Sequence, residues 1–244
     1  MTTLFISDLH LDESRPDLCE AFSGFCHHRA RAAQQLYVLG DLVDAWLGDD
    51  DDGTVAALVR LELAALASAG VDVYLMRGNR DFLFGQKLAR ECGITLIDDP
   101  TVIELYGQNA LLMHGDSLCT DDTEYMAFRE KIRNPSMQQQ LLDKPLNERR
   151  AIAAQLRTQS KSANASKTED IMDVNHEAVR SALSTHHCRL LIHGHTHRPA
   201  EHTLDIDGDT ASRIVLGDWD RQGWYLEVSP TLRKLVSFPI DTRP

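Results

Sequence analysis

The 244-residue sequence predicts an α/β (α+β) fold with mixed strand directions and an inserted helical cap. Short apolar runs alternate with amphipathic stretches in the first half of the chain, which is typical of strands that alternate with helices. Strand signals then stop at residue 121 and resume only after residue 183. A composition of 43% hydrophobic residues is ample for the core of one large domain.

The first half of the chain has a β-α-β-α-β pattern followed by a hairpin whose turn is Gly107-Gln108-Asn109. Gly70 closes the second helix of this pattern. The predicted strands are residues 4–7, 35–39, 71–76, 94–97, 102–106 and 110–113, and the predicted helices are residues 16–33, 55–69 and 85–92.

The helical insertion is predicted to span residues 121–183, with the core formed by residues 1–120 and 184–244. Within it, residues 121–167 are interpreted as the cap, and the remainder as a return helix. Strands are predicted again at residues 189–193, 214–216, 224–228 and 232–238.

Local signals divide the insertion into short helices. Pro135 and Pro145 each fit the first turn of a new helix, where proline is tolerated. Ser166, with Glu169 three residues later, resembles a capping box that would open the return helix.

Charge separates the cap from the core. The chain carries a formal charge of −12, which argues against a nucleic-acid partner. Between Arg129 and Lys167, nine basic and three acidic residues give +6, so the remainder carries −18. The acidic run Asp49–Asp52 is expected to be a solvated loop, because a calcium loop needs alternating ligand spacing.

The remaining compositional signals concern location. The five cysteines form no CxxC pattern and are expected to be reduced thiols of a cytosolic protein. Met1 leads directly into a strand, without the basic and apolar regions of a signal peptide. No apolar run approaches the ~20 residues of a membrane span, so we expect a protein that is soluble or lies on a membrane surface.

Short polar motifs end or follow five of the predicted strands, and a sixth motif trails them. Strand ends that deliver Asp, His and Asn side chains to one place can hold two metal ions. By itself each motif is weak evidence, because an Asp or His after a strand is often structural. The motifs are Asp8-Leu9-His10, Gly40-Asp41-Leu42-Val43-Asp44, Gly78-Asn79-Arg80-Asp81, His114-Gly115-Asp116, Gly194-His195-Thr196-His197 and Leu216-Gly217-Asp218-Trp219.

The donor atoms in these motifs suit a dinuclear site. Asp8 and His10 lie two apart, so they would face one side of an extended chain, and Asp41 is the natural bridging carboxylate. Two ions ~3.5–4 Å apart can hold a hydroxide between them and clamp a phosphoryl oxygen. Mixed oxygen and nitrogen ligands suit Mn²⁺, with Fe, Zn and Co as alternatives, and the lack of thiols argues against structural zinc. The candidate metal ligands are Asp8, His10, Asp41, Asn79, His114, His195 and His197.

The ordered motif set resembles the calcineurin-like metallophosphoesterase superfamily over nearly the whole chain. The resemblance implies two packed mixed β-sheets flanked by helices. It also implies that Asp8, His10, Asp41 and His197 hold one metal ion. Asp41, Asn79, His114 and His195 would hold the other. The resemblance places supporting roles on Asp44, Asp81, Asp116 and His193.

One motif departs from the common superfamily pattern GNH[DE], because Arg80 replaces its histidine. A guanidinium with a pKa above ~12 cannot act as a general acid, but it can brace a phosphate oxygen. This suits a leaving group that departs as a stable anion, such as one released from a phosphoanhydride. The alternative is that Arg80 only pairs with Asp81 or Asp44.

With this departure the chain resembles the bacterial UDP-2,3-diacylglucosamine diphosphatase family of lipid A biosynthesis. The shared stretches include residues 4–11, 77–82, 193–199 and 215–219. The resemblance implies hydrolysis of the lipid nucleotide to UMP and 2,3-diacylglucosamine 1-phosphate, with two Mn²⁺ per chain. It further implies a monomer on the cytoplasmic face of the inner membrane. Catalytic roles fall on Asp41, Arg80 and His195, and substrate contacts on Asn79, Arg80, Asp122, Ser160, Asn164, Lys167 and His195.

The composition of the cap agrees with such a substrate. Its basic residues would offset pyrophosphate charge, and its apolar residues could line a slot for acyl chains or simply pack on the core. A hydrolase of soluble nucleotide sugars, a scaffold without catalysis and a nucleic-acid enzyme are the alternatives. The apolar cap residues are Tyr125, Met126, Phe128, Ile132, Leu141, Leu142, Ile152 and Leu156.

Overall fold

The computed structural model describes residues 1–164, 171, 173–206 and 208–241, without the side chains of residues 161, 163 and 164. It confirms the predicted fold class, with two mixed β-sheets that pack face to face and helices on both outer faces. One sheet has the strand order β11-β10-β1-β2-β3-β4 and the other β5-β6-β7-β9-β8. The strands are β1 (Thr3–Ile6), β2 (Gln35–Leu39), β3 (Asp72–Met76), β4 (Thr95–Ile97), β5 (Thr101–Leu105), β6 (Gln108–Met113), β7 (Leu190–His193), β8 (Ala200–Ile206), β9 (Asp209–Val215), β10 (Gln222–Ser229) and β11 (Leu232–Pro239).

Of the α-helices within the described residues, three cover the first sheet, three form the cap, and one covers the second sheet. The helices are α1 (Pro16–His28), α2 (Thr54–Ser68), α3 (Gln86–Cys92), α4 (Thr123–Arg133), α5 (Pro135–Leu142), α6 (Leu146–Asn164) and α7 (His176–Thr185).

The central strands of each sheet carry apolar residues on both faces because both faces are buried. In β1, Leu4 and Ile6 pack beneath the helices of the first sheet, whereas Phe5 points into the layer between the two sheets. Phe5 stacks there on Tyr37 of β2, with ring centroids 5.0 Å apart. Buried central strands therefore appear in the sequence as continuous apolar runs, which made them easy to predict.

The main differences between prediction and structure concern β8, β9 and the return helix. Strand β8 was missed because its polar residues alternate with half-buried ones at the edge of the second sheet. Strand β9 was predicted only at residues 214–216 but spans Asp209–Val215. The return helix begins at His176 rather than near Ser166, and the Asn175 side chain caps it by accepting from the Ala178 N–H at 3.0 Å. The proposed capping box at Ser166 and Glu169 lies outside the described residues.

The two chain segments that connect the cap to the core lie side by side. Asn175 Nδ2 donates to both carboxylate oxygens of Asp121 at 3.0 Å, and Asn175 N–H donates to the Leu118 carbonyl at 2.8 Å. Helix α7 then packs on the second sheet through Val179 and Leu183.

Among the helices that the structure describes, none combines the length and the apolar character of a membrane span.

Candidate metal centre and adjoining cavity

The candidate ligands meet at one edge of the two-sheet core. Strands β1, β2 and β3 run parallel in one sheet, and β6 and β7 run parallel in the other. Parallel strands present their carboxyl ends at the same edge, so the loops that follow them converge there. Those loops carry all seven predicted ligands, Asp8, His10, Asp41, Asn79, His114, His195 and His197.

Five of these residues have a left-handed backbone. The φ angle is 56° at Asp8, 49° at His10, 52° at Asp41, 68° at His195 and 56° at His197. The expectation that Asp8 and His10 share one side of an extended chain is therefore wrong. Residues with a side chain adopt this conformation rarely, and it persists where the surrounding structure enforces it, often at functional sites.

The first group of donor atoms consists of Asp8, His10 and His197. The Nε2 atoms of His10 and His197 are 3.3 Å apart, and His197 Nε2 is 3.4 Å from Asp8 Oδ1. Asp8 Oδ1 is buried without a hydrogen-bond partner among the described residues, while Oδ2 accepts from the Ser7 hydroxyl and the His195 N–H. Bonds of about 2.0–2.2 Å around a tetrahedral cation place ligands about 3.3–3.6 Å apart. These three residues therefore fit one divalent ion.

The second group gathers around Asn79. Its Oδ1 atom is 2.8 Å from His114 Nε2 and 2.9 Å from His195 Nδ1. Asp41 Oδ1 is 3.7 Å from His114 Nε2. His114 Nδ1–H donates to the Leu39 carbonyl at 2.8 Å, which directs Nε2 toward these oxygens. The donor set of two oxygens and two imidazoles fits a second divalent ion.

The pKa values of the histidines reflect the same balance of burial and negative charge. Burial lowers the pKa of His10 and of His195 to about 3, so both rings are neutral and able to donate a lone pair. Burial opposes protonation of His114 and His197, but nearby carboxylates raise both pKa values to about 9. Asp41 and Asp116 act on His114, and Asp8 acts on His197. A cluster that attracts protons in this way also attracts divalent cations.

The remaining motif residues hold these loops in place. Asp81 accepts from Gly78 N–H at 2.6 Å and from Leu42 N–H at 2.7 Å, which joins the loops of Asn79 and Asp41. His193 Nδ1–H donates to the Gly194 carbonyl at 2.8 Å.

Asp116 joins the metal-site loops to the cap. Its Oδ2 accepts from the Tyr125 hydroxyl at 2.9 Å and from Arg129 Nε at 2.8 Å. The ring of Tyr125 lies 5.7 Å from the ring of His195. The first cap helix, α4, is therefore fixed beside the candidate metal centre.

Arg80 lies between the candidate metal centre and the cap. Its backbone N–H donates to Asp41 Oδ1 at 2.8 Å, and Nη2 donates to the Ser160 hydroxyl at 3.4 Å. The alternative that Arg80 pairs with Asp81 or Asp44 is not what the structure shows. Asp81 binds backbone N–H groups, and Asp44 pairs with Arg157 at 2.6 Å.

A cavity of about 240 Å³ extends from Arg80 beneath the cap. The polar residues that line it include Asn79, Arg80 and Ser160. Five of the apolar cap residues singled out in the sequence line it, namely Tyr125, Phe128, Leu141, Ile152 and Leu156. Of the others, Ile132 is buried against the core, Met126 lies on a different cleft and Leu142 is 36% exposed.

The core contributes apolar walls that the sequence analysis missed. Trp46, Phe82 and Leu83 line the cavity from the side opposite the cap. They follow the metal-site motifs within a few residues, at Gly40–Asp44 and Gly78–Asp81. The presence of apolar residues directly after these motifs is the sequence signal that could have identified the core wall of the cavity.

Five cap arginines are paired with core carboxylates. Arg129 and Arg133 contact Asp116, Arg149 contacts Asp50, Arg150 contacts Asp52, and Arg157 contacts both Asp12 and Asp44. Core carboxylates therefore balance the charge of these arginines, and the acidic loop 49–52 is a docking point for the cap rather than a purely solvated turn. Arg149 and Arg157 line the cavity while paired with Asp50 and Asp44, whereas Arg80 lines it with its guanidinium on the Ser160 hydroxyl.

Of the remaining predicted substrate contacts, the structure describes the side chains of Asp122 and Ser160. Asp122 is 7% exposed and caps α4 by accepting from the Tyr125 N–H at 3.0 Å. Ser160 faces Arg80. Asn164 is the last residue of α6, but its side chain lies outside the described residues, as does the whole of Lys167.

The two-sheet core and its dinuclear donor set define a metal-dependent phosphoesterase. The chain matches the calcineurin-like phosphoesterase family over residues 1–199, and it belongs to that family.

Relatives named UDP-2,3-diacylglucosamine hydrolase are similar to the chain over nearly its full length. The relative from Cellvibrio japonicus is 55% identical, with 95% of this chain and 96% of the relative covered. The relative from Pseudomonas aeruginosa PAO1 is 51% identical, with 98% of this chain and 100% of the relative covered. A solved archaeal phosphodiesterase shares the fold with a TM-score of 0.50 at 12% identity, covering 98% of this chain and 99% of its own.

Proposed function

We propose that this protein hydrolyses the pyrophosphate bond of UDP-2,3-diacylglucosamine, in lipid A biosynthesis, to UMP and 2,3-diacylglucosamine 1-phosphate. The cavity carries the proposal, because its lining combines Asn79 and Arg80 of the candidate metal centre with apolar side chains of the cap and the core. A substrate that fits both kinds of lining residue has a charged phosphoanhydride and an aliphatic part. The names of the similar proteins describe such a substrate.

The metal ligands in this proposal are the seven residues of the two donor groups. One ion, taken to be Mn²⁺, would be held by Asp8, His10 and His197, and the other by Asn79, His114 and His195. Asp41 lies beside both groups, with Oδ2 3.9 Å from His10 Nδ1 and Oδ1 3.7 Å from His114 Nε2, and would serve as the shared carboxylate. When bound, the two ions supply Lewis acidity toward the phosphoryl oxygens and lower the pKa of the attacking water.

Arg80 braces the substrate at the edge of this centre. Its backbone is fixed by Asp41, and its guanidinium points toward Ser160 at the mouth of the cavity. A guanidinium can bind two phosphate oxygens at once and thereby stabilise the charge that spreads during phosphoryl transfer. It cannot donate a proton to the leaving group. A phosphate monoester with a second pKa near ~6 needs none, because it leaves as a stable anion.

His195 links the metal centre to the substrate. Its ring contacts Asn79 and lies near Tyr125. Its backbone N–H donates to Asp8 Oδ2 at 2.8 Å. We assign it a dual role as a metal ligand and as a contact to the scissile phosphate.

The acyl chains occupy the apolar chamber, and the cap binds the head group. Ile152, Leu156 and Phe128 of the cap face Trp46 and Phe82 of the core across the cavity. Each methylene group buried there contributes roughly 0.8 kcal/mol to binding. Head-group contacts are assigned to Asp122, Ser160, Asn164 and Lys167.

The protein is proposed to work as a monomer on the cytoplasmic face of the inner membrane, without a nucleic-acid partner. Phe128, which lines the cavity, is 39% exposed, and Leu142 on α5 is 36% exposed. Exposed apolar side chains on the cap suit the withdrawal of a lipid from a bilayer surface. The formal charge of −12 disfavours nucleic acid.

Mass spectrometry of the reaction products in ¹⁸O-labelled water tests the proposal. With Mn²⁺ and UDP-2,3-diacylglucosamine, we expect UMP that carries the label and unlabelled 2,3-diacylglucosamine 1-phosphate. The deacylated UDP-glucosamine should be turned over far less efficiently. Equal turnover of the two substrates would favour a hydrolase of soluble nucleotide sugars, and no cleavage of either would refute the proposal.

A further inference from the structure

The motif around Asp218 has no role in the site as described so far. It follows β9 in the loop Leu216-Gly217-Asp218-Trp219. The Trp219 N–H donates to the carbonyl of Asp8 at 3.0 Å, and the Leu216 N–H donates to the carbonyl of His193 at 2.8 Å. The loop therefore lies directly against two of the loops that form the candidate metal centre.

This loop is held firmly by aromatic packing. Trp219 is 2% exposed, and its Nε1–H donates to the Trp224 carbonyl at 2.9 Å. The Trp219 ring packs edge-on against Phe25 and Phe238, with centroid distances of 5.6 and 5.2 Å. At Gly217 an added Cβ would come within 2.5 Å of the Trp224 ring, so the backbone there is in close contact with the core. The position of the neighbouring carboxylate is consequently set by the core.

The carboxylate of Asp218 faces the outer nitrogen of a candidate metal ligand. Asp218 Oδ2 is 3.5 Å from His197 Nδ1. The other nitrogen of the same ring, Nε2, faces Asp8 Oδ1 at 3.4 Å and His10 Nε2 at 3.3 Å. His197 is therefore placed between a carboxylate on one side and the metal-binding atoms on the other.

His114 provides an internal comparison. Its Nδ1–H donates to the Leu39 carbonyl at 2.8 Å, and its side chain is fully buried. His197, in contrast, has a side chain that is 38% exposed and faces a carboxylate where His114 faces a backbone carbonyl. An exposed ring has fewer neighbours to fix its orientation, so its contact with Asp218 carries more of that task.

We propose that Asp218 is a positioning residue that holds His197 in the Nδ1–H tautomer and turns its Nε2 lone pair toward the metal ion. The proposal rests on the metal centre of the proposed function. A carboxylate behind a ligating imidazole fixes the ring and increases its basicity, and loss of such a partner typically weakens metal binding about 10–100-fold. Asp218 thus supports the ion held by Asp8, His10 and His197, and not the one at Asn79.

Calorimetric titration with Zn²⁺ tests this role without measuring turnover. The variants are Asp218→Asn, which keeps the shape, and Asp218→Ala, which removes the acceptor. Asp220→Asn is the matched control, because Asp220 lies in the same loop but is exposed and pairs with Arg15 at 2.9 Å. We expect two ions per chain in the unaltered protein and in the control. In both Asp218 variants, one of the two sites should bind about 10-fold or more weakly.

A nuclear magnetic resonance measurement on the Zn²⁺-loaded protein reports the tautomer directly. The Nδ1–H proton of His197 should be observable in the unaltered protein and in the control, because the facing Asp218 carboxylate slows its exchange with water. In Asp218→Ala this signal should disappear. Unchanged affinities at both sites in the Asp218 variants, or an equally protected proton in Asp218→Ala, would overturn the proposal. If the alanine variant does not fold, Asp218→Asn decides through the titration.

Different results would refute the metal centre and the role of Asp218. An unaltered protein that binds no Zn²⁺ would refute the metal centre itself and the role of Asp218 with it. An unaltered protein that binds two ions, together with Asp218 variants that bind identically, would refute only the role of Asp218.

Discussion

A substitution that narrows the apolar cavity should lower kcat/KM for the acylated substrate and leave kcat/KM for the deacylated substrate unchanged. Ala153 lies in the middle of the α6 face that lines the cavity, together with Ile152 and Leu156. Ala153→Leu keeps a strong helix former at this position and adds three carbon atoms to the cavity wall. The added volume displaces aliphatic substrate from a space of about 240 Å³.

The expected magnitude follows from the apolar surface that the substrate can no longer bury. Three displaced methylene groups at roughly 0.8 kcal/mol each amount to about 2.4 kcal/mol. This free energy corresponds to a decrease of about 60-fold in kcat/KM for the acylated substrate. The value is an upper bound, because the acyl chains can partly shift within the cavity. The deacylated substrate has no group at this position, so its kcat/KM should be unchanged.

Steady-state kinetics with both substrates provide the measurement. Ala154→Leu is the control, because Ala154 is the next residue of the same helix and is exposed. It should behave like the unaltered protein with either substrate. If Ala153→Leu leaves the acylated substrate unaffected, or impairs both substrates equally, the cavity does not bind acyl chains.

Further variants test the metal centre, the phosphate contact of Arg80 and the docking of the cap. Asp41→Ala should abolish turnover because it removes the shared carboxylate, whereas near-full activity in metal-controlled buffer would contradict the two-metal assignment. Chelation should abolish activity, and added Mn²⁺ should restore it, as measured by UMP release. Arg80→His should lower kcat by a large factor, since it removes the bidentate phosphate contact, and full retention would discredit the leaving-group argument. Arg149→Met should loosen the cap by about 1–3 kcal/mol, because Arg149 is 5% exposed and donates to Asp50 and to the Leu47 carbonyl. Hydrogen exchange of α6 would report that loosening, and exchange as slow as in the unaltered protein would contradict it.

The pairing of cap arginines with core carboxylates explains the uneven charge of the sequence. Arg149 and Arg150 contact the loop of Asp50 and Asp52, and Arg157 contacts Asp44 in a metal-site loop. The cap therefore carries the positive partners and the core the negative ones. The net charge of +6 in residues 129–167 mainly reflects the ion pairs by which the cap docks on the core. Arg80 of the core supplies positive charge at the cavity.

Strands whose burial pattern is simple were predictable from the sequence. Central strands such as β1 and β7 are buried on both faces, so their residues form continuous apolar runs. Strand β8 lies at a sheet edge, and its residues alternate between exposed and half-buried positions with polar side chains such as Glu201 and Thr203. Nothing in such a segment distinguishes a strand from a polar loop. The start of α7 depended on which of two capping residues was used, and Asn175 rather than Ser166 caps the helix that the structure shows.

The candidate ligands were predictable as a set because the loop after each parallel strand must reach the same edge of the fold. Their individual geometry was not, since left-handed backbones at residues such as Asp8 and His197 depend on contacts from other loops. The sequence also did not indicate that Trp46 and Phe82 would face the cap across a cavity.

The sequence alone determined the alternation of strands and helices, the chemical nature of the donor atoms and the presence of a helical insertion. These properties are local, because they follow from apolar periodicity and from the residue types in short motifs. The tertiary structure decided which arginines pair with the core, which apolar residues enclose the cavity and which carboxylate stands behind His197. Such choices depend on distances between segments far apart in the chain, which are fixed only when the sheets and the cap pack together.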